Sequence, residues 1–67
     1  MSTQSWTVTG MTCQHCVASV TEEVSEIAGV TEVVVDLASG ALTVTSDHAL
    51  PDETVRAAVE EAGYSLS

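Results

Sequence analysis

The chain has 67 residues, ten Asp and Glu against a single Lys or Arg, a net charge of −9 and a pI near 4.1. Phosphate backbones and anionic lipid headgroups are bound through Lys and Arg, and only Arg56 is available, which excludes nucleic acid and acidic membrane as partners. No run approaches the roughly 20 apolar residues of a membrane span, and Met1-Ser2-Thr3-Gln4-Ser5 lacks the basic and apolar regions of a signal peptide, so the expected compartment is the cytoplasm.

Trp6-Thr7-Val8 alternates apolar with β-branched polar residues up to Gly10, which predicts a short strand running into a loop. Cys16, Val17, Val20, Val24 and Ile27 then recur at steps of three and four, the pattern of one buried helix face, with Thr12 as its expected N-cap and Gly29 as the residue that ends it. Val33, Val35 and Leu37 share one parity and Glu32, Val34 and Asp36 the other. After a turn at Ala38-Ser39-Gly40, Leu42 and Val44 continue the alternation, so an antiparallel hairpin is expected. A polar loop, Ser46-Asp47-His48, leads to a second helix carrying Leu50, Val55, Ala58, Val59 and Ala62 on one side. Pro51 is either its first helical residue, or Leu50 and Val55 close its start as a hydrophobic staple. Gly63-Tyr64 repeats the ending at Gly29-Val30, and Tyr64-Ser65-Leu66 is long enough for a final strand.

The order β, α, β, β, α, β predicts an α+β, ferredoxin-like sandwich: a four-stranded antiparallel sheet with both helices on one face, in one domain spanning residues 1–67. Trp6 and Tyr64 are the only aromatics, so eleven valines and eight alanines supply most of the core. A core this thin commonly leans on a staple. Cys13 and Cys16 are not one, because a disulfide between them would close only a tiny loop, and thiols stay reduced in the cytosol.

What these cysteines can do follows from Gly10-Met11-Thr12-Cys13-Gln14-His15-Cys16. Both sulfurs can converge at the N-terminus of the first helix, where free backbone N–H groups favour thiolates. Two thiolates form a soft chelate that selects Cu(I) and competes for Zn(II) or Hg(II), whereas Mg(II) and Ca(II) require oxygen. A structural zinc site needs four ligands, and the chain holds only two cysteines and two histidines, so Cu(I) is the natural match. A chance Cys-x-x-Cys, a thioredoxin-type redox pair, a zinc knuckle completed by a second chain and inert buried cysteines are the competing readings. The βαββαβ order and the absence of an aromatic beside the motif weigh against the redox pair.

Through that motif and Ala62-Gly63-Tyr64, the chain resembles the heavy-metal-associated domain family over nearly its full length, and within it the bacterial copper chaperones of the CopZ type. The resemblance implies a non-enzymatic copper carrier in which Cys13 and Cys16 bind Cu(I), Met11 is a buried plug beneath the metal loop and Tyr64 lies beside the site. It implies delivery to the amino-terminal domains of a copper-exporting P-type ATPase and exchange with a copper-sensing repressor. Mercury-binding relatives share Gly-Met-Thr-Cys, and a zinc- or mercury-binding homologue is an alternative. His15, between the cysteines, either faces solvent or donates to a third coordination position in a metal-bridged dimer; without metal a monomer is expected. His48 is assigned no role. The start at Met1 and the stop just past the last strand suggest a complete small chaperone rather than one domain of an ATPase.

Overall fold

In the computed structural model, which describes residues 1–67, alternation and helical periodicity give six elements: β1 (Ser2–Thr9), α1 (Gln14–Ser25), β2 (Val30–Asp36), β3 (Ala41–Ser46), α2 (Asp52–Glu61) and β4 (Ser65–Leu66). They form one sheet in the order β2-β3-β1-β4, with each neighbouring pair antiparallel, which is the expected ferredoxin-like arrangement. Gln4, Trp6 and Val8 of β1 and Leu42, Val44 and Ser46 of β3 face the helices, while Thr3, Ser5, Thr7 and Thr9 lie on the opposite, open face. The core consists of Val8, Val20, Val24, Leu42, Val44, Leu50, Val55 and Val59. Six of the eight are valines, whose stiff χ1 loses little rotamer freedom on burial, and this partly offsets the small area that such side chains remove from water. Ser46, the one fully buried polar side chain, donates its hydroxyl to the His48 carbonyl, and no buried side-chain polar atom lacks a partner.

Several local expectations are corrected. β1 begins at Ser2 rather than Trp6, because its first half is held by polar pairing that leaves no hydrophobic signal. Thr3 and Ser5 face Thr45 and Thr43 across the strands, with hydroxyls 3.5 and 3.3 Å apart. The Gln4 amide accepts from the Leu50 N–H at 2.8 Å and donates to its carbonyl at 3.1 Å. Thr12 is not the N-cap of α1: that position is Cys13, with extended φ and ψ of −156° and 174° and no side-chain cap bond.

Nor does Gly29 end α1. The helix stops at Ser25 with Glu26 as its C-cap, and Gly29, at φ +91°, belongs to a separate turn closed by Val30 N–H to the Ile27 carbonyl at 3.2 Å. A Cβ on Gly29 would meet only the ends of the exposed Asp47 and His48 side chains, which can turn away, so it is the positive φ of this turn that calls for glycine here. The ending expected at Gly63 is present. Gly63 N–H bonds the Glu60 carbonyl at 2.9 Å and Tyr64 N–H the Val59 carbonyl at 3.1 Å, the paired bonds of a Schellman motif. Pro51 is the N-cap of α2 and not its first helical residue. Leu50 and Val55 are both buried at the positions of a hydrophobic staple, which sets where the helix starts. Leu37 lies in the hairpin turn, one residue past β2.

Candidate metal centre

β1 delivers the chain to Gly10, and α1 begins at Gln14, so Met11-Thr12-Cys13 bridges a strand end and a helix start. Cys13 as N-cap and Cys16 in the first turn bring their sulfurs to 3.6 Å. Their environments differ: Cys13 is exposed, whereas Cys16 is buried with 9% of its surface accessible.

The pKa of Cys16 is lowered from 9.0 to about 6. The largest cause is donation from the Thr12 main-chain N–H to its sulfur, followed by the Tyr64 hydroxyl; burial opposes both, and the Cys13 N–H and S–H contribute less. Tyr64 shows the reciprocal effect, its phenol pushed above 10.0 chiefly by its hydrogen bond to Cys16. At neutral pH Cys16 is therefore largely thiolate, a form in which it can take up a soft ion without first losing a proton.

The other residues singled out from the sequence divide into two groups. Tyr64 is brought to the Cys16 sulfur, whereas Met11, next in the chain to Gly10, turns to the core. Tyr64 is half-buried, with its ring against the open side of Gly10, and Met11 is half-buried against the core rather than fully enclosed. His15 is on the first turn of α1 but its side chain is exposed, while its main-chain carbonyl accepts from the Ser19 hydroxyl at 3.1 Å. No third Cys, His, Asp or Glu joins the pair. His48 lies in the loop after β3 and contacts Asp47. The contribution that sequence reasoning missed is that of Thr12, whose hydroxyl is 3.9 Å from the Cys16 sulfur. Its one sequence signal is that an N-cap at Cys13 leaves the preceding residue free to turn back over the first helical turn.

A βαββαβ sandwich with two thiols at the mouth of its first helix defines a small class of metal-handling domains. The profile of the heavy-metal-associated domain matches residues 6–65, and the chain belongs to that family. It is 38% identical over 61 residues to the copper chaperone CopZ of Bacillus subtilis, covering 90% of this chain and 88% of that one. It is 42% identical over 62 residues to the zinc/cadmium/lead-transporting P-type ATPase of Shigella sonnei, but there it spans 92% of itself and only 8% of the transporter. Among solved structures, a CopZ metallochaperone superposes with a TM-score of 0.91 at 31% identity, covering 98% of this chain and 100% of that one. No helix of the chain is long and apolar enough to cross a membrane.

Proposed function

We propose that the chain is a cytoplasmic copper chaperone: Cys13 and Cys16 take Cu(I) as a thiolate pair and pass it to the amino-terminal domain of a copper-exporting P-type ATPase. The observation that carries this reading is the sulfur pair itself, one member exposed and the other buried, 3.6 Å apart and joined by no third ligand side chain. Sulfurs at this separation suit a bent arrangement, and a linear one requires them to part further. Cys13, exposed and without a cap bond, is the side chain free to make that movement.

Transfer then proceeds by exchange. An acceptor thiolate adds to the ion, the Cys13 sulfur leaves, and Cys16 follows when a second acceptor sulfur arrives, so the ion is never free in water. The chain makes and breaks no substrate bond other than those to the metal, and the direction of transfer follows the relative affinities of donor and acceptor. The similarity to CopZ over nearly the full length of both chains supports copper as the cargo. The presence of the same domain in a P-type ATPase supports an acceptor of like build. The 42% identity to a zinc/cadmium/lead transporter favours a second reading, in which the same pair handles Zn(II) and completes its coordination from the partner.

Anaerobic competition against a chelator with Cu(I), Zn(II) and Hg(II) in parallel separates these readings. Cu(I) is expected to be held most tightly, at one ion per chain, and Cys13→Ser or Cys16→Ser to weaken it by at least ~100-fold. Preference for Zn(II) would replace the copper reading, and unchanged Cu(I) retention in both variants would remove the thiolate pair from it.

A further inference from the structure

The sheet has two outer edges, and they are built differently. On β2 the outer edge is guarded by the charges of Glu32 and Asp36 and by a register shift between Val30 and Glu32, devices that discourage pairing with another strand. On the other side β4 has only two residues, facing Val8 and Thr9, with Ser67 N–H adding one bond to the Thr7 carbonyl at 2.9 Å. Beyond Thr7, no strand lies beside the first half of β1.

Strand alternation shows which backbone groups are left there. Val8 N–H bonds Gly40 on the β3 side and the Thr7 carbonyl is bonded on the β4 side, so even residues of β1 turn their main chain to β3 and odd residues turn theirs outward. The main-chain N–H and carbonyl of Thr3 and Ser5 therefore face the open edge, on exposed residues of a strand that itself carries no charged side chain, proline or bulge. On the helix side of that edge lies Trp6, half-buried, with Nε1 donating to Asp52 Oδ1 at 3.1 Å and exposed Glu53 next along the first turn of α2.

We propose that the first half of β1 is a strand-addition site for an extended, basic segment of a partner protein. Such a segment pairs with the outward N–H and carbonyl groups of Thr3 and Ser5 in the manner of β-augmentation. Its residues of one parity face α2, where long cationic side chains lay their stems over the Trp6 indole and bring their charges to Asp52 and Glu53. Residues of the other parity lie beside Thr3 and Ser5, where small β-branched hydroxyl side chains fit. The chain's net charge of −9 favours a cationic partner and opposes a second copy of itself. The site lies at the opposite end of β1 from Gly10 and the cysteine loop, so a partner held there leaves the sulfurs uncovered.

The probe is a short capped peptide of alternating arginine and threonine, added to the metal-free chain at moderate salt. The expected result is slowed amide exchange at Thr3 and Ser5, a change in Trp6 fluorescence, and at least ~10-fold weaker binding when alternate peptide nitrogens are methylated so that they cannot donate. Ser5→Pro removes the outward donor at an edge position that tolerates proline, and is expected to weaken binding to the same degree while Cu(I) retention stays unchanged. If that variant does not fold, as judged by circular dichroism, the methylated peptide on the unaltered chain decides alone. Equal binding of methylated and unmethylated peptide would reduce the attraction to charge and overturn the proposal. Protection of Thr3 and Ser5 amides that grows with protein concentration in the absence of peptide would also overturn it, by making a second copy the occupant.

Discussion

Cys13 and Cys16 have the same side chain three residues apart, yet the fold gives them different work. Thr12 and Tyr64 donate to the Cys16 sulfur, which pulls its pKa to about 6, while Cys13 stands exposed at the cap. Removing one donor exposes its share: Tyr64→Phe is expected to raise the midpoint of Cys16 ionisation above about 6, read from thiolate ultraviolet absorbance in a Cys13→Ser background and compared with that background alone. A midpoint that does not move would remove the phenol from the site's chemistry. The same shift links to folding. A thiol whose folded pKa lies below its unfolded value adds stability that is complete above pH 9.0 and is lost as pH falls through about 6. Apo-protein stability, followed by urea unfolding between those limits, is therefore expected to rise with pH, and Cys16→Ser to flatten that slope. The identity and convergence of the two sulfurs could be read from their spacing, but the donor that lowers the Cys16 pKa most could not, because a main-chain N–H has no residue type of its own.

The two glycines that follow the helices look equivalent in sequence, and they are not. Gly63 closes a Schellman motif at φ +94°, and a Cβ placed there would meet nothing within 4 Å, so its requirement is one of backbone conformation alone. Gly29, at φ +91°, belongs to a turn separate from the helix end, and only the ends of the exposed Asp47 and His48 side chains lie near the position of a Cβ there. Gly63→Ala and Gly29→Ala are accordingly each expected to cost about 1–2 kcal/mol, checked by thermal and urea unfolding of both variants; a much larger loss at Gly29 would show that Asp47 and His48 cannot turn away. Periodicity located both helices and the hairpin because their apolar faces are continuous. It failed where pairing is polar, as in Ser2–Ser5 of β1, and at Gly29, whose positive φ serves a separate turn after α1 has already ended at Ser25. Leu50 and Val55 show the favourable case: two apolar residues at the right interval marked the start of α2 more reliably than Pro51 did.

Across the whole molecule, charge sets the condition under which this small core works. Glu22, Glu26, Asp52, Glu53, Glu60 and Glu61 are all exposed on or beside the helices, and Arg56 is the one fixed cation set against the ten carboxylates. Such a surface repels itself, and screening relieves it. Adding salt until the Debye length falls from about 30 Å to about 10 Å is expected to raise the apo melting temperature, by about 4–8 °C for each kcal/mol of repulsion removed. A melting temperature that falls instead would show that attractive pairs outweigh the repulsion. The acidic helical layer was legible from composition and periodicity together. The contrast between a guarded and an unguarded sheet edge was not, because it depends on how far β4 runs beside β1.

The strand order β2-β3-β1-β4 has one more consequence. β1 and β2, the strands of the first half of the chain, are never neighbours; each lies only against strands of the second half. A cut in the hairpin would leave one fragment with two strands and no ladder and another in the same state, so neither half can be its own template. The thiols belong to the first fragment, but Tyr64, which helps to ionise one of them, belongs to the second. The two halves are thus complementary in the sense used of split reporters: the chemistry of the sulfur pair exists only once they have met.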